Sequence, residues 1–195
     1  RRYEKLKEKE LGIAKRICGH RNIKEPITSN LPRGYEQIAA ALGSLMSGNV
    51  YIPVSLNQTK DRRKLIHEKT GVKYVITNYA WKDQIEWPDQ TEIFNFDEID
   101  GAESAKLPEV FPEDSAYIIM TSGSTGVPKG VEIAHGSAWN TIQDINKKYM
   151  VSSKDTALAV SAMDFDLSVY DVFGILGAGG SLVLLPDAER RNAVY

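Results

Sequence analysis

Apolar positions recur along the chain at two periods, and the switching between them lays out an alternating series of helices and strands. Residues 2–18 set Tyr3, Leu6, Ile13 and Ile17 near one stripe among lysines and glutamates, the pattern of an amphipathic helix. Residues 35–47 give the clearest helix: Ile38, Ala41, Leu42, Leu45 and Met46 follow the spacing i, i+3, i+4, i+7, i+8. Gly48 sits where a C-terminal cap belongs, and Val50 to Val54 follows as a strand, with Pro53 marking its end or a sheet edge. Asp61 puts a negative charge near the start of a further helix that runs to about Thr70, Gly71 stops it, and residues 72–77 form the next strand.

Further along, residues 81–88 are irregular, 91–96 form a short strand, and 101–112, with two prolines and few apolar residues, form a surface connection. Strands are expected at 116–121 and 131–133, a helix at 137–149 with Trp139, Ile142, Ile145 and Tyr149 on one face, and a strand at 156–162. An apolar helix over 167–176 is closed by Gly177-Ala-Gly-Gly180 before a strand at 181–185. Residues 27–30, flanked by Pro26 and Pro32, carry too short a pattern to assign. Helix followed by strand, repeated, implies crossover units: an α/β fold with a mainly parallel sheet and flanking helices.

Candidate chemistry concentrates in Thr121-Ser122-Gly123-Ser124-Thr125-Gly126-Val127-Pro128-Lys129-Gly130, which follows the buried-looking run 116–120. Its glycines let backbone N–H groups approach an anion, its hydroxyls add donors, and Lys129 supplies a positive charge, which together suit a nucleotide triphosphate. The common phosphate-binding loop, Gly-x-x-x-x-Gly-Lys-[Ser/Thr], does not fit: starting from Gly123, Pro128 stands where its second glycine belongs, and Gly130 follows the lysine. A Gly/Ser/Thr-rich segment between strands also suits a plain flexible turn, and composition does not decide between the two.

A second unusual stretch, Met163-Asp164-Phe165-Asp166, joins a strand to the helix beginning at Leu167. Asp166 can cap that helix, or, at the carboxyl end of a parallel strand, face a ligand crevice. Asp164 and Asp166 point the same way if the segment stays extended, but no third metal ligand has suitable spacing. Gly174, Gly177, Gly179 and Gly180 fit close helix packing and a tight turn better than a dinucleotide fingerprint.

Bulk properties narrow the function classes. The 195 residues are 42% hydrophobic and 26% charged, ordinary for a globular protein, and no apolar run nears the ~20 residues of a membrane-spanning helix. Twenty-four basic against 26 acidic residues give a net charge of −2 and no basic field for nucleic acid. One cysteine, Cys18, excludes an internal disulfide, and the scattered His20, His67 and His135 fit no zinc spacing. Residues 1–10 are charged and lack the core of a signal peptide, so a cytoplasmic setting is expected.

Four ordered stretches resemble the adenylation domains of nonribosomal peptide synthetases, within the adenylate-forming ligases. Tyr3-Glu-Lys-Leu6 is similar to the tail of that family's first core motif, and Leu45 to Val54 to its Leu-Lys-Ala-Gly-Gly-Ala-Tyr-Leu-Pro-Ile. Ser122 to Gly130 match Ser-Gly-[Ser/Thr]-Thr-Gly-x-Pro-Lys-Gly without departure, and Phe165-Asp-Leu-Ser168 matches Phe-Asp-x-Ser. The resemblance implies condensation of ATP with an amino-acid carboxylate, in the presence of Mg2+, to an aminoacyl-adenylate, then transfer to the phosphopantetheine thiol of a carrier-protein domain. It assigns phosphate binding to Thr121, Ser122, Gly123, Ser124, Thr125, Gly126, Lys129 and Gly130, and the substrate ammonium to Asp166. Leu167 and Tyr170 would line the side-chain pocket, in a combination that resembles cysteine-activating domains.

The same resemblance implies what lies outside this sequence: the Tyr-Gly-Pro-Thr-Glu motif, a ribose-binding aspartate, the hinge and the lysine-bearing small domain. Residues 1–195 are therefore expected to be an incomplete N-terminal part of an adenylation domain, inactive by itself, with apolar surface that promotes self-association. Two other readings stay open at this point: an acyl- or aryl-CoA ligase, and a noncatalytic nucleotide-binding domain.

Overall fold

The computed structural model describes residues 3–20, 24–122 and 127–185. Strand β1 (Pro26–Ser29) lies inside a six-stranded sheet, with β2 (Val50–Pro53) on one side and β3 (Tyr74–Thr77) on the other, all parallel. β4 (Glu92–Asn95) extends the sheet beyond β3; β5 (Ser115–Ser122) lies parallel to β2, and β6 (Pro128–Ala134) turns back antiparallel as the edge. Thus the segment that sequence left unassigned is the pivot of the sheet. Pro26 opens β1 rather than interrupting it, and Pro53 ends β2, where the missing N–H costs no interior ladder bond.

Helices α1 (Tyr3–Cys18) and α2 (Tyr35–Met46) pack together and onto one sheet face. Ile13 and Ile17 of α1 and Ala39 and Ala40 of α2 meet Ile27, Ile76 and Phe94 from β1, β3 and β4. Gly43 permits the close crossing, because a Cβ there would stand 2.5 Å from Ile13 Cγ2. Gly48, at φ 74°, turns the chain from α2 into β2. α3 (Lys60–Thr70) covers the opposite face through Ile66, which meets Ile52, Val54 and Met120. Thr59 caps α3 by accepting from the Arg62 N–H, and Gly71 ends it in the left-handed region at φ 57°.

A short helix, α4 (Tyr79–Lys82), occupies part of the stretch expected to be irregular. α5 (His135–Tyr149) follows β6 but buries only Ile142 fully; Trp139 and Tyr149 of its predicted apolar face are 54% and 66% exposed. β7 (Thr156–Ala159) and β8 (Ser181–Leu184) form a separate parallel pair. The connection between them is one helical run: α6 (Leu167–Val169), a π-helical turn (Tyr170–Gly174) and α7 (Ile175–Gly177). No helix of the described residues is long and apolar enough to cross a membrane.

His67 on α3 is 1% exposed, 3.2 Å from Asn30 Oδ1 through Nε2, with its ring 5.4 Å from that of Trp87. Burial, reinforced by the Arg63 charge, lowers its pKa to about 4. Because the unfolded chain then binds the proton more readily, stability present above the ordinary value of about 6.5 is lost as pH falls toward 4. Urea unfolding at pH 7 and pH 5 is expected to differ by about 2 kcal/mol through this residue. A His67→Gln variant should show that much less pH dependence over the same interval.

Candidate functional site

The phosphate-loop candidate is mounted on the β5–β6 hairpin. Thr121 pairs with Lys129 and Ser122 with Pro128, and the Thr121 hydroxyl donates to the Lys129 carbonyl at 3.2 Å. Gly123, Ser124, Thr125 and Gly126 lie outside the described residues. The flanking Thr121, Ser122, Lys129 and Gly130 are all exposed at the carboxyl end of β5, the end at which open α/β sheets meet ligands. Gly130 has a packing reason as well: a Cβ there would come within 2.8 Å of Ile118 Cγ2 on the neighbouring strand. From α3, Arg62 reaches the Thr121 carbonyl at 3.4 Å.

The β7–α6 junction is braced on several sides. Asp171 accepts from the Ser161 N–H at 3.0 Å, the Ser168 hydroxyl donates to the Met163 carbonyl at 3.1 Å, and Arg33 donates to the Ala159 carbonyl. Asp164 accepts from the Gln58 amide at 2.7 Å. Asp166 is left free of these bonds. Its backbone is already helical, at φ −58° and ψ −34°, and its carboxylate makes no capping bond, which corrects the capping alternative. An N-cap residue needs extended backbone to bring its oxygen back onto the helix N–H groups. Asp166 is exposed. Among the described residues no group of three or more His, Cys, Asp or Glu is placed to hold a metal ion.

The helix after Asp166 packs through Val169 and Val172 on the β5 face that carries Tyr117 and Ile119. Burial first, and then the nearby Asp166 charge, push the Tyr117 phenol above its ordinary pKa. Tyr117 and Thr121 are four residues apart on one strand, so their side chains share a face about 13 Å apart along it. A substrate amine at Asp166 and a phosphate group at the hairpin could therefore belong to one extended ligand. A cavity of about 1010 Å3 lies between α1, α2, α5, β5 and the π-helical turn, with walls that include Leu42, Tyr51, Tyr117, Trp139, Val169 and Phe173, so that it adjoins the β5 face at Tyr117. Those walls are mainly apolar and offer little to a triphosphate, so the polar groups for a phosphate are those of the hairpin.

Comparison with known proteins decides the family. The AMP-binding enzyme family model matches residues 3–195. The chain belongs to the AMP-binding enzyme family. It is 44% identical over 169 residues to pyochelin synthetase PchE of Pseudomonas aeruginosa, covering 87% of this chain and 12% of PchE. It is 42% identical over 171 residues to the anguibactin system regulator of Vibrio anguillarum, covering 86% of this chain and 16% of that protein. The chain thus spans less than a fifth of the curated relatives it matches. Its fold superimposes on the nonribosomal peptide synthetase FmoA3 bound to alpha-methyl-L-serine-AMP with a TM-score of 0.87 at 29% identity, covering 94% of this chain and 21% of that one. The α/β architecture expected from the sequence is therefore that of solved synthetases.

Within this AMP-binding chain the two pocket candidates differ in setting. Leu167 is 59% exposed. Tyr170 is half-buried; its hydroxyl donates to Asn146 Oδ1 at 3.0 Å, while Asn146 Nδ2 donates to the Gly174 carbonyl at 3.0 Å. Asn146 on α5 thus clasps both ends of the π-helical turn, and Gly174 must lack a side chain because a Cβ would stand 2.6 Å from the Tyr170 ring. Sequence reasoning assigned no role to Asn146, Gln58 or Arg62, whose partners lie far away in the chain. Tyr170→Phe removes the donor and leaves Asn146 Oδ1 unpaired, which is expected to cost about 1 kcal/mol in urea unfolding. Asn146→Ala should cost more, since it also frees the Gly174 carbonyl.

Proposed function

We propose that this chain is an N-terminal part of an amino-acid-adenylating domain of nonribosomal peptide synthetase type. The observation that carries the reading is Asp166: exposed, without a partner among the described residues, at the start of a helix that packs through Val169 and Val172 onto the β5 face of Tyr117 and Ile119, two residues short of Thr121. An anion so placed is a receptor for a substrate ammonium. The pairing becomes strong once substrate and the rest of the domain exclude water from it. The amino-acid adenylate held by FmoA3 supports the same substrate class here.

In the reaction, a carboxylate oxygen of the amino acid bonds to the α-phosphorus of ATP while the bond from that phosphorus to the bridging oxygen breaks, and pyrophosphate leaves with the electron pair. Two anions approach and a third departs, so donors and cations must offset accumulating charge. Thr121, Ser122, Lys129 and the backbone of the hairpin loop, with Gly123, Ser124, Thr125, Gly126 and Gly130 in it, would hold the outgoing phosphates. Magnesium would supply further positive charge at those phosphates. The acyl group then passes to the phosphopantetheine thiol of a carrier domain: a carbon–sulfur bond forms, AMP leaves, and the thiol gives up its proton. The catalytic lysine that the family resemblance implies is not Lys129.

Leu167 and Tyr170, one and four residues beyond Asp166, would set side-chain preference, with cysteine as the proposed substrate. Acids without an amine are disfavoured, because they leave Asp166 without a counter-charge. Exposed Trp139, Tyr149, Met150, Leu158, Val160 and Val183 support self-association of the isolated chain.

The test is amino-acid-dependent ATP–pyrophosphate exchange by the intact natural protein, across amino acids and aryl acids. Cysteine is expected to give the highest kcat/KM, and Asp166→Ala to lower it by roughly tenfold to a hundredfold. Preference for an aryl acid, or an Asp166→Ala variant with unchanged kcat/KM, would contradict the proposal.

A further inference from the structure

We propose that Gln58 is a positioning residue for Asp166, acting through Asp164, and that the β2–α3 segment braces both halves of the site. The inference rests on the adenylation reading above for its functional consequence, and on geometry for the brace itself. Three loops converge at the carboxyl ends of parallel strands: the one after β2, the hairpin after β5, and the junction after β7. Among the described residues, the segment after β2 touches both of the others.

Gln58 Nε2 donates to Asp164 Oδ2 at 2.7 Å across 106 positions of sequence, in a half-buried setting. The loop that carries Gln58 is itself fixed. Arg63 Nη1 donates to the Leu56 carbonyl at 3.0 Å and also to the Gln58 carbonyl, and the Gln58 N–H closes a turn onto Ser55 at 3.2 Å. One residue before Arg63, Arg62 points the other way and reaches the Thr121 carbonyl of the hairpin at 3.4 Å. The N-terminal turn of α3, capped by Thr59, therefore holds the Gln58 loop with one arginine and the hairpin with the next.

On the far side, Asp164 is two residues before Asp166, and the backbone between and just after them is tied into the turn. The Phe165 N–H bonds the Ala162 carbonyl at 3.0 Å, and the Val169 N–H bonds the Asp166 carbonyl at 3.1 Å. A displacement of Asp164 is thus transmitted along a closed turn to Asp166. The Asp166 carboxylate makes no capping bond and has no partner among the described residues, so its position depends on its own backbone and on the bonds of its neighbours. Gln58–Asp164 is a side-chain bond between the first sheet's loops and this turn, and its amide donor occupies Asp164, so that Asp166 is the carboxylate of the pair without a partner among the described residues.

The test uses three forms of the intact natural protein: Gln58→Leu, which removes the donor; Asp164→Asn, which keeps an acceptor; and Gln58→Glu combined with Asp164→Asn, which reverses the bond. Amide hydrogen exchange at residues 165–169 is expected to rise about tenfold in Gln58→Leu and to stay near wild type in the other two, with β1 and β3 unchanged. In pyrophosphate exchange, Gln58→Leu should raise KM for the amino acid about tenfold, leave KM for ATP and kcat within about twofold, and be rescued by the reversed pair. A merely structural role would lower the active fraction without separating the two KM values. Unchanged amide exchange in Gln58→Leu, failure of the reversed pair to restore it, or an equal rise in both KM values would overturn the proposal. A wild-type protein without amino-acid-dependent exchange would refute the adenylation reading, while the amide exchange would still judge the brace.

Discussion

The site depends on one buried contact between two parts of the fold. Tyr51, fully buried on β2, lies 5.6 Å from Tyr117 on β5 and 6.0 Å from Phe173 in the π-helical turn, measured between ring centroids. Among the described residues the first sheet and the β7–β8 unit share no strand ladder, and packing around these rings, together with Ala116, Ile119, Met163, Val169 and Val172, joins them. Aromatic side chains suit this task, since each buries a large area with few rotatable bonds. Through that contact the helix that begins at Leu167 is seated against β5, and Asp166 comes to lie near Tyr117. The price is an unpaired Tyr51 hydroxyl, whose ionised form burial makes still less accessible.

From this seating follows a division of labour between rigid scaffold and exposed chemistry. Backbone pairing fixes Thr121 and Lys129 opposite each other, and a set of side-chain bonds fixes the turn around Asp166. The groups assigned to chemistry are left exposed: hydroxyls and an ammonium at the hairpin, a carboxylate at the junction. Opposite charges at the two ends of one strand face match a ligand that is cationic at its amine and anionic at its phosphates. Such an arrangement orients the ligand before any bond is made or broken.

Much of the fold was legible in the sequence because its period signals are strong. The i, i+3, i+4 pattern of α2, the glycine stops at Gly48 and Gly71, and the strand-length apolar run of β5 all correspond to elements. β1 was not legible: four residues between prolines carry too little pattern, and its central place comes from pairing with β2 and β3. How much of the α5 face is covered was not legible either, because periodicity reports which side is apolar, not whether anything packs on it. For the site, the motif residues were readable as types at fixed spacing, but their supports were not. Gln58 with Asp164, and Asn146 with Tyr170 and Gly174, are contacts between distant segments that no local pattern announces. The freedom of Asp166 from a cap was likewise invisible, since it depends on backbone angles rather than residue type.

The central claim is that Asp166 receives the ammonium of an amino acid whose phosphate end lies at the β5–β6 hairpin. Its most direct measurement is an experimental structure of the intact natural protein with a non-hydrolysable aminoacyl-adenylate analogue. The account predicts the ammonium nitrogen about 2.7–2.9 Å from an Asp166 carboxylate oxygen, with the phosphate directed toward Thr121 and Lys129. An ammonium bound by other groups, with Asp166 still turned to solvent, would contradict it.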